Sequence, residues 1–94
     1  MLKDIVQVRP LPNFCLWLQF EDGVQGIVNL REIVPFTGIF EALQNPQFFA
    51  QVAVNPEWGT IFWENGADLD PDVLYSIITG EAIEYAHVNT AGSK

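Results

Sequence analysis

The stretch Pro56-Glu57-Trp58-Gly59-Thr60-Ile61-Phe62-Trp63-Glu64-Asn65-Gly66-Ala67-Asp68-Leu69-Asp70-Pro71-Asp72-Val73-Leu74-Tyr75-Ser76-Ile77-Ile78-Thr79-Gly80 runs a strand, a tight turn and a helix together with almost no slack. Thr60 to Trp63 are β-branched or aromatic, which suits a half-buried pleated strand and loses side-chain freedom in a helix. Alternation puts Thr60 and Phe62 on one face, Ile61 and Trp63 on the other. Asn65-Gly66 takes positive φ readily, so the strand should end there in a sharp turn. Asp70-Pro71 starts a helix: the carboxylate accepts from first-turn N–H groups, and proline at the first helical position gives up no hydrogen bond. Asp72 adds negative charge at the positive end of the helix dipole. Val73, Leu74, Ile77 and Ile78 form an apolar stripe, and Gly80 supplies a left-handed cap. The spacing predicts a helix over residues 71–79.

Working outward, Gln51 to Val54 reads as a strand that Asn55-Pro56 turns back against Thr60 to Trp63. Further upstream, Phe14 to Phe20 alternates strongly, with Phe14, Leu16, Leu18 and Phe20 on one face and Cys15, Trp17 and Gln19 on the other. Glu21-Asp22-Gly23 makes a hairpin turn into Val24 to Asn29, where Val24, Gly26 and Val28 share a face. Ile5 to Arg9, ended by Pro10, reads as an outer strand. Between these blocks, Leu30 to Val34 suits a turn or a single helical turn. Gly38 to Gln44 places Ile39, Phe40 and Leu43 on one side of a short helix stopped by Asn45-Pro46. Phe48-Phe49 either starts another helical turn or leads directly into the fourth strand. The expected fold is α+β: an antiparallel three-strand meander, a short helical connection, a second β-hairpin and one main C-terminal helix packed on the sheet, against its second strand. Residues 1–80 form one domain, and residues 81–94 a C-terminal extension with room for a helical turn before a frayed end.

Composition narrows the function classes. With 94 residues, 49% of them hydrophobic, the chain is long enough for a single small core and too apolar to be a disordered tail. One cysteine rules out an internal disulfide, and neither a secretion signal nor a membrane span is legible, so a cytoplasmic protein is expected. The net charge is −8 and unevenly spread: residues 1–47 carry three Lys/Arg against five Asp/Glu, residues 48–94 one against seven. Such a surface repels phosphate backbones, so no direct nucleic-acid binding is expected. It reads either as a solvated face that aids solubility or as one that steers a basic protein partner.

No catalytic constellation stands out. Asp68-Leu69-Asp70-Pro71-Asp72 fails the calcium-loop pattern, having Val73 at the sixth position and Thr79 at the twelfth. Capping accounts for Asp70 and Asp72. Asp68 either closes an Asx-type turn or joins Glu64 as a metal or acid–base pair. His87 is the only histidine, Ser76 and Ser93 lack a nucleophile elbow, and Cys15 has no histidine at a motif spacing. The reading is therefore non-enzymatic, with no cofactor and no metal site. Trp17, Trp58 and Trp63 either pack in or around the core or leave an apolar patch beside Tyr75 or Phe36 of the kind found at interfaces.

The segments Val8-Arg9-Pro10-Leu11-Pro12-Asn13-Phe14, Phe20-Glu21-Asp22-Gly23, Gly38 to Leu43, Asn45 to Phe49 and, above all, Gly59 to Tyr75 resemble a bacterial family known as domain of unknown function 2442. The likeness covers residues 5 to about 79. It implies a small α+β domain without assigned catalytic residues, often encoded beside a second small protein in a toxin–antitoxin-like arrangement. Some members add a helix-turn-helix DNA-binding domain. The chain leaves no room for one after residue 80, so that attribute is not carried over.

The leading expectation is a non-enzymatic binding module, the acidic antitoxin-like or regulatory member of a two-protein pair with a basic partner encoded nearby. The alternatives are a carboxylate-metal hydrolase using Asp68 and Glu64, and a homodimeric scaffold held by the aromatic patch. The expected partner surface is the turn and helix start, with Trp63 as apolar anchor, Glu64 and Asp68 setting approach, and Asp70 and Tyr75 beside them. Asn65, Gly66, Pro71 and Gly80 shape the turn and the caps.

Overall fold

The computed structural model describes residues 3–80; the expectations for residues 81–94 lie outside the described residues. In chain order the elements are β1 (Ile5–Leu11), β2 (Cys15–Phe20), β3 (Gln25–Asn29), α1 (Leu30–Ile33), a 3₁₀ segment (Gly38–Gln44), α2 (Pro46–Phe49), β4 (Ala53–Asn55), β5 (Thr60–Phe62) and α3 (Pro71–Thr79). The fold is α+β, with an antiparallel sheet ordered β1-β2-β3 and an antiparallel β4-β5 hairpin.

Alternation in β2 sets the inner face. Leu16 and Leu18 stand opposite Val28 and Gly26 of β3, and Leu16, Leu18, Phe20 and Val28 are all buried. The pleat gives each strand one buried and one outer row of side chains. On the outer row the Arg9 guanidinium lies 5.4 Å from the centre of the Trp17 ring. β1 runs two residues further than its proline suggests, with Pro10 opposite Leu16. It borders only β2 within the sheet, so a residue without an N–H is tolerated there.

A register shift between Ile5 and Gln7 turns Ile5 into the core and leaves Val6 outside. The Ile5 N–H donates to the Gly59 carbonyl at 2.8 Å, joining the sheet to the hairpin. Gly59 has φ +68°, and a Cβ there would collide with the Asp4 carboxylate. Glycine thus serves both the β4–β5 turn and this close approach.

Trp63 is the largest fully buried side chain, at 0% exposure, and its indole N–H donates to the Phe49 carbonyl at 3.0 Å. Around it, one buried cluster takes residues from both sheets, all three α-helices and the 3₁₀ segment. Thr60, on the other face of β5, is buried with its hydroxyl donating to the Leu69 carbonyl at 2.6 Å.

The α3 boundaries follow their sequence signals. The Asp70 carboxylate accepts from the Asp72 N–H at 2.9 Å, and Gly80, at φ +78°, donates its N–H to the Ser76 carbonyl at 2.8 Å. The stripe is narrower than its four apolar residues suggest. Leu74 is fully buried, Val73 and Ile78 are half-buried, and Ile77 is 46% exposed. The helix comes closest to β3, where Ile78 lies directly over Gly26, and the edge-on Tyr75 ring reaches Phe20 of β2 at 5.0 Å.

Phe14 departs most from the alternation. It sits in the β1–β2 turn with φ +61°, following Asn13 at φ +62°. Because Leu11 pairs with Cys15, Pro12, Asn13 and Phe14 must reverse the chain in three residues. The Phe14 ring packs edge-on against Phe36 and Phe49, at 5.5 and 5.3 Å between centroids.

Candidate binding surface

The turn after β5 is held from both ends. The Trp63 N–H donates to the Ala67 carbonyl and the Gly66 N–H to the Trp63 carbonyl, each at 2.9 Å. Gly66 has φ +95°. The Asn65 side chain accepts from the Ala67 N–H at 3.1 Å and donates to the Ile39 carbonyl at 2.9 Å, so it shapes the turn and ties it to the 3₁₀ segment. The Asx turn anticipated for Asp68 is thus made by Asn65. Asp68 itself bridges Phe62 through the backbone, and its exposed carboxylate takes no hydrogen bond from a described residue.

Buried Leu69 and helix-starting Asp70 follow, and here the chain builds a cleft of about 230 Å³. Its walls are Ile33 and Val34 on one side and Leu69, Val73 and Leu74 on the other, with Asp68 and Asp70 among the lining residues. One Asp70 oxygen caps α3. Between Glu57 and Gly80 the sequence contains no Lys or Arg, and none lines the cleft beside these carboxylates. Apolar walls beside unopposed carboxylates suit a side chain with an aliphatic stem and a cationic head, the stem packing as the head meets the acids.

The anticipated surface residues therefore part company. Asp68 and Asp70 meet in the cleft, while Glu64 is exposed on the preceding turn and is not among the lining residues. Trp63 is fully buried and cannot anchor a partner: its face of the strand points inward and its N–H is spent on Phe49. The exposed indole is Trp58, 66% accessible in the β4–β5 turn. Half-buried Tyr75 donates its hydroxyl to the Asp22 carboxylate at 2.6 Å, latching the β2–β3 turn to α3. That bond, followed by one from the Val24 N–H, holds the Asp22 pKa below the usual carboxylate value. The cleft walls Ile33 and Val34 carry no sequence signal. They lie more than thirty residues from Asp68, and only the fold brings them there.

Among the described residues no three His, Cys, Asp or Glu side chains gather in a way that could hold a metal ion, and no helix is long and apolar enough to cross a membrane. No curated protein and no solved structure matches the chain. A family model does, over residues 5–80, and its description is protein of unknown function. That match takes in both sheets, the helical connection and α3, and with it the chain belongs to the DUF2442 family.

Proposed function

We propose that this chain is a non-enzymatic protein-binding module, the acidic antitoxin-like or regulatory member of a two-protein pair, and that the Asp68 cleft receives a basic segment of its partner. The observation that carries the reading is the pairing of an apolar cleft with an exposed carboxylate that no described residue occupies. A lysine or arginine stem would cover Val34, Leu69 and Val73 while its head meets Asp68. The overall charge of −8 would raise the encounter rate with any basic protein.

The test is association with the product of the neighbouring gene, followed by kinetics at two salt concentrations for the wild type, Asp68→Asn and Val73→Ala. Asp68→Asn should slow association and flatten its salt dependence, whereas Val73→Ala should mainly speed dissociation. Both side chains are at least partly exposed, so folding should survive either change. Equal rates for the three folded proteins would place the interface elsewhere.

A further inference from the structure

A second cavity, of about 440 Å³, is lined by Phe14, Arg31, Val34, Pro35, Phe36 and Gln44. We infer that it is a binding site for a small carboxylate with a planar apolar body, held through Arg31. Three observations converge on it. Arg31 is one of only four Lys/Arg in a chain with twelve Asp/Glu, yet its guanidinium makes no ion pair with a described residue and instead lies 5.4 Å from the centre of the Phe14 ring. Phe14 holds that ring from a backbone conformation, φ +61°, that bulky residues rarely adopt and that clusters at ligand sites. The edge-on pair of Phe14 and Phe36 gives the cavity aromatic walls, and Val34 and Pro35 add apolar lining beside the polar surface of Arg31 and Gln44.

The volume falls in the range of small-molecule sites. A guanidinium presents parallel N–H donors that match one carboxylate, whereas a phosphate dianion is better served by several cations, and no other Lys or Arg lines the cavity. Stacking on Phe14 restrains the guanidinium before a ligand arrives, which lowers the ordering cost of binding. The Gln44 amide donates to the Phe36 carbonyl at 2.9 Å, fixing the opposite wall. The cavity shares Val34 with the Asp68 cleft but has the opposite charge preference, so this inference stands apart from the proposed partner site.

The test is a titration of isotopically labelled protein with benzoate and phenylacetate, against neutral benzamide and cationic benzylamine. The carboxylates should shift the amides of Phe14, Arg31, Val34, Phe36 and Gln44 saturably in the millimolar range. Benzamide should bind about tenfold more weakly or not at all, and benzylamine should leave these amides unmoved. Arg31→Ala should abolish the carboxylate response, and Arg31→Lys, which keeps the charge without the planar fork, should weaken it severalfold. Arg31 is exposed, so spectra away from the cavity should be unchanged in both variants. The inference is overturned if neither carboxylate gives a saturable shift, if benzamide matches benzoate, or if Arg31→Ala binds as the wild type does.

Discussion

Replacing Gly26 by alanine tests how α3 is seated. A Cβ on Gly26 would stand 2.7 Å from Ile78 Cγ2 and 3.2 Å from its Cγ1, well inside contact distance, so the helix or the Ile78 rotamer must move. Overpacking of this kind costs about 1–3 kcal/mol, offset by about 0.4–1 kcal/mol from the reduced freedom of the unfolded chain. The expected net destabilisation is about 1–2 kcal/mol. Ile78→Ala on its own removes a half-buried side chain and leaves Gly26 uncovered, at a cost of about 1–2 kcal/mol, below the range for fully buried sites. In the double variant the new methyl occupies part of the space Ile78 vacates, so the two costs should not add. A coupling of about 1 kcal/mol or more is expected. Urea melts of the four proteins measure it, since with a slope near 1 kcal/mol per molar the single variants move the midpoint by about 1–2 M. Additivity to within about 0.5 kcal/mol would refute the placement of Ile78 over Gly26.

At Phe14, glycine should be less damaging than alanine. Both remove the ring from Phe36 and Phe49, but only alanine keeps the penalty of positive φ, so Phe14→Gly should melt about 1 kcal/mol above Phe14→Ala in urea; the reverse order would contradict the turn conformation. Trp63→Phe empties part of the core and removes one of the two donors to the Phe49 carbonyl, which also accepts from the Val52 N–H at 3.3 Å, so it should cost about 2 kcal/mol or more, and a loss under about 1 kcal/mol would show that the indole is not buried. Because the Tyr75 hydroxyl lowers the Asp22 pKa, its contribution to stability is present above the unfolded carboxylate value of about 4 and is lost as the pH falls through the folded value. Tyr75→Phe should therefore raise the Asp22 pKa in a carboxyl NMR titration and narrow the stability gap to the wild type at acid pH; an unmoved pKa would show that the hydrogen bond does not form.

What the sequence discloses here is mostly local. The α3 caps need only Asp70-Pro71 and Gly80, and the faces of β2 follow from alternation alone, so these elements are legible without the fold. Phe14 misleads because it is apolar and in phase with Leu16, Leu18 and Phe20, while the three-residue reversal that claims it depends on the pairing of Leu11 with Cys15. Trp63 shares a face with Ile61 in any strand reading. That this face points inward depends on the buried cluster that both sheets and the helices build over it, in which Phe49, fourteen residues away, takes the indole N–H. Ile77 belongs to the apolar stripe by spacing, yet the close approach at Gly26 seats the helix on Leu74 and Ile78 and leaves Ile77 outside. The acids of the candidate site are visible as a run, and one wall, Val73 and Leu74, lies in the legible stripe, whereas the other comes from the end of α1 and the residue after it, where no periodicity points toward Asp68.

The claim that the Asp68 cleft seats a basic partner is tested most directly by mapping amide shifts of labelled protein on addition of the neighbouring gene's product. The expected result is a contiguous set of perturbations at Ile33, Val34, Asp68, Leu69, Asp70 and Val73, weakened by salt and by Asp68→Asn. Perturbations confined to the turn bearing Trp58, or to Ile27 and Ile77, with the Asp68 segment unmoved, would contradict it.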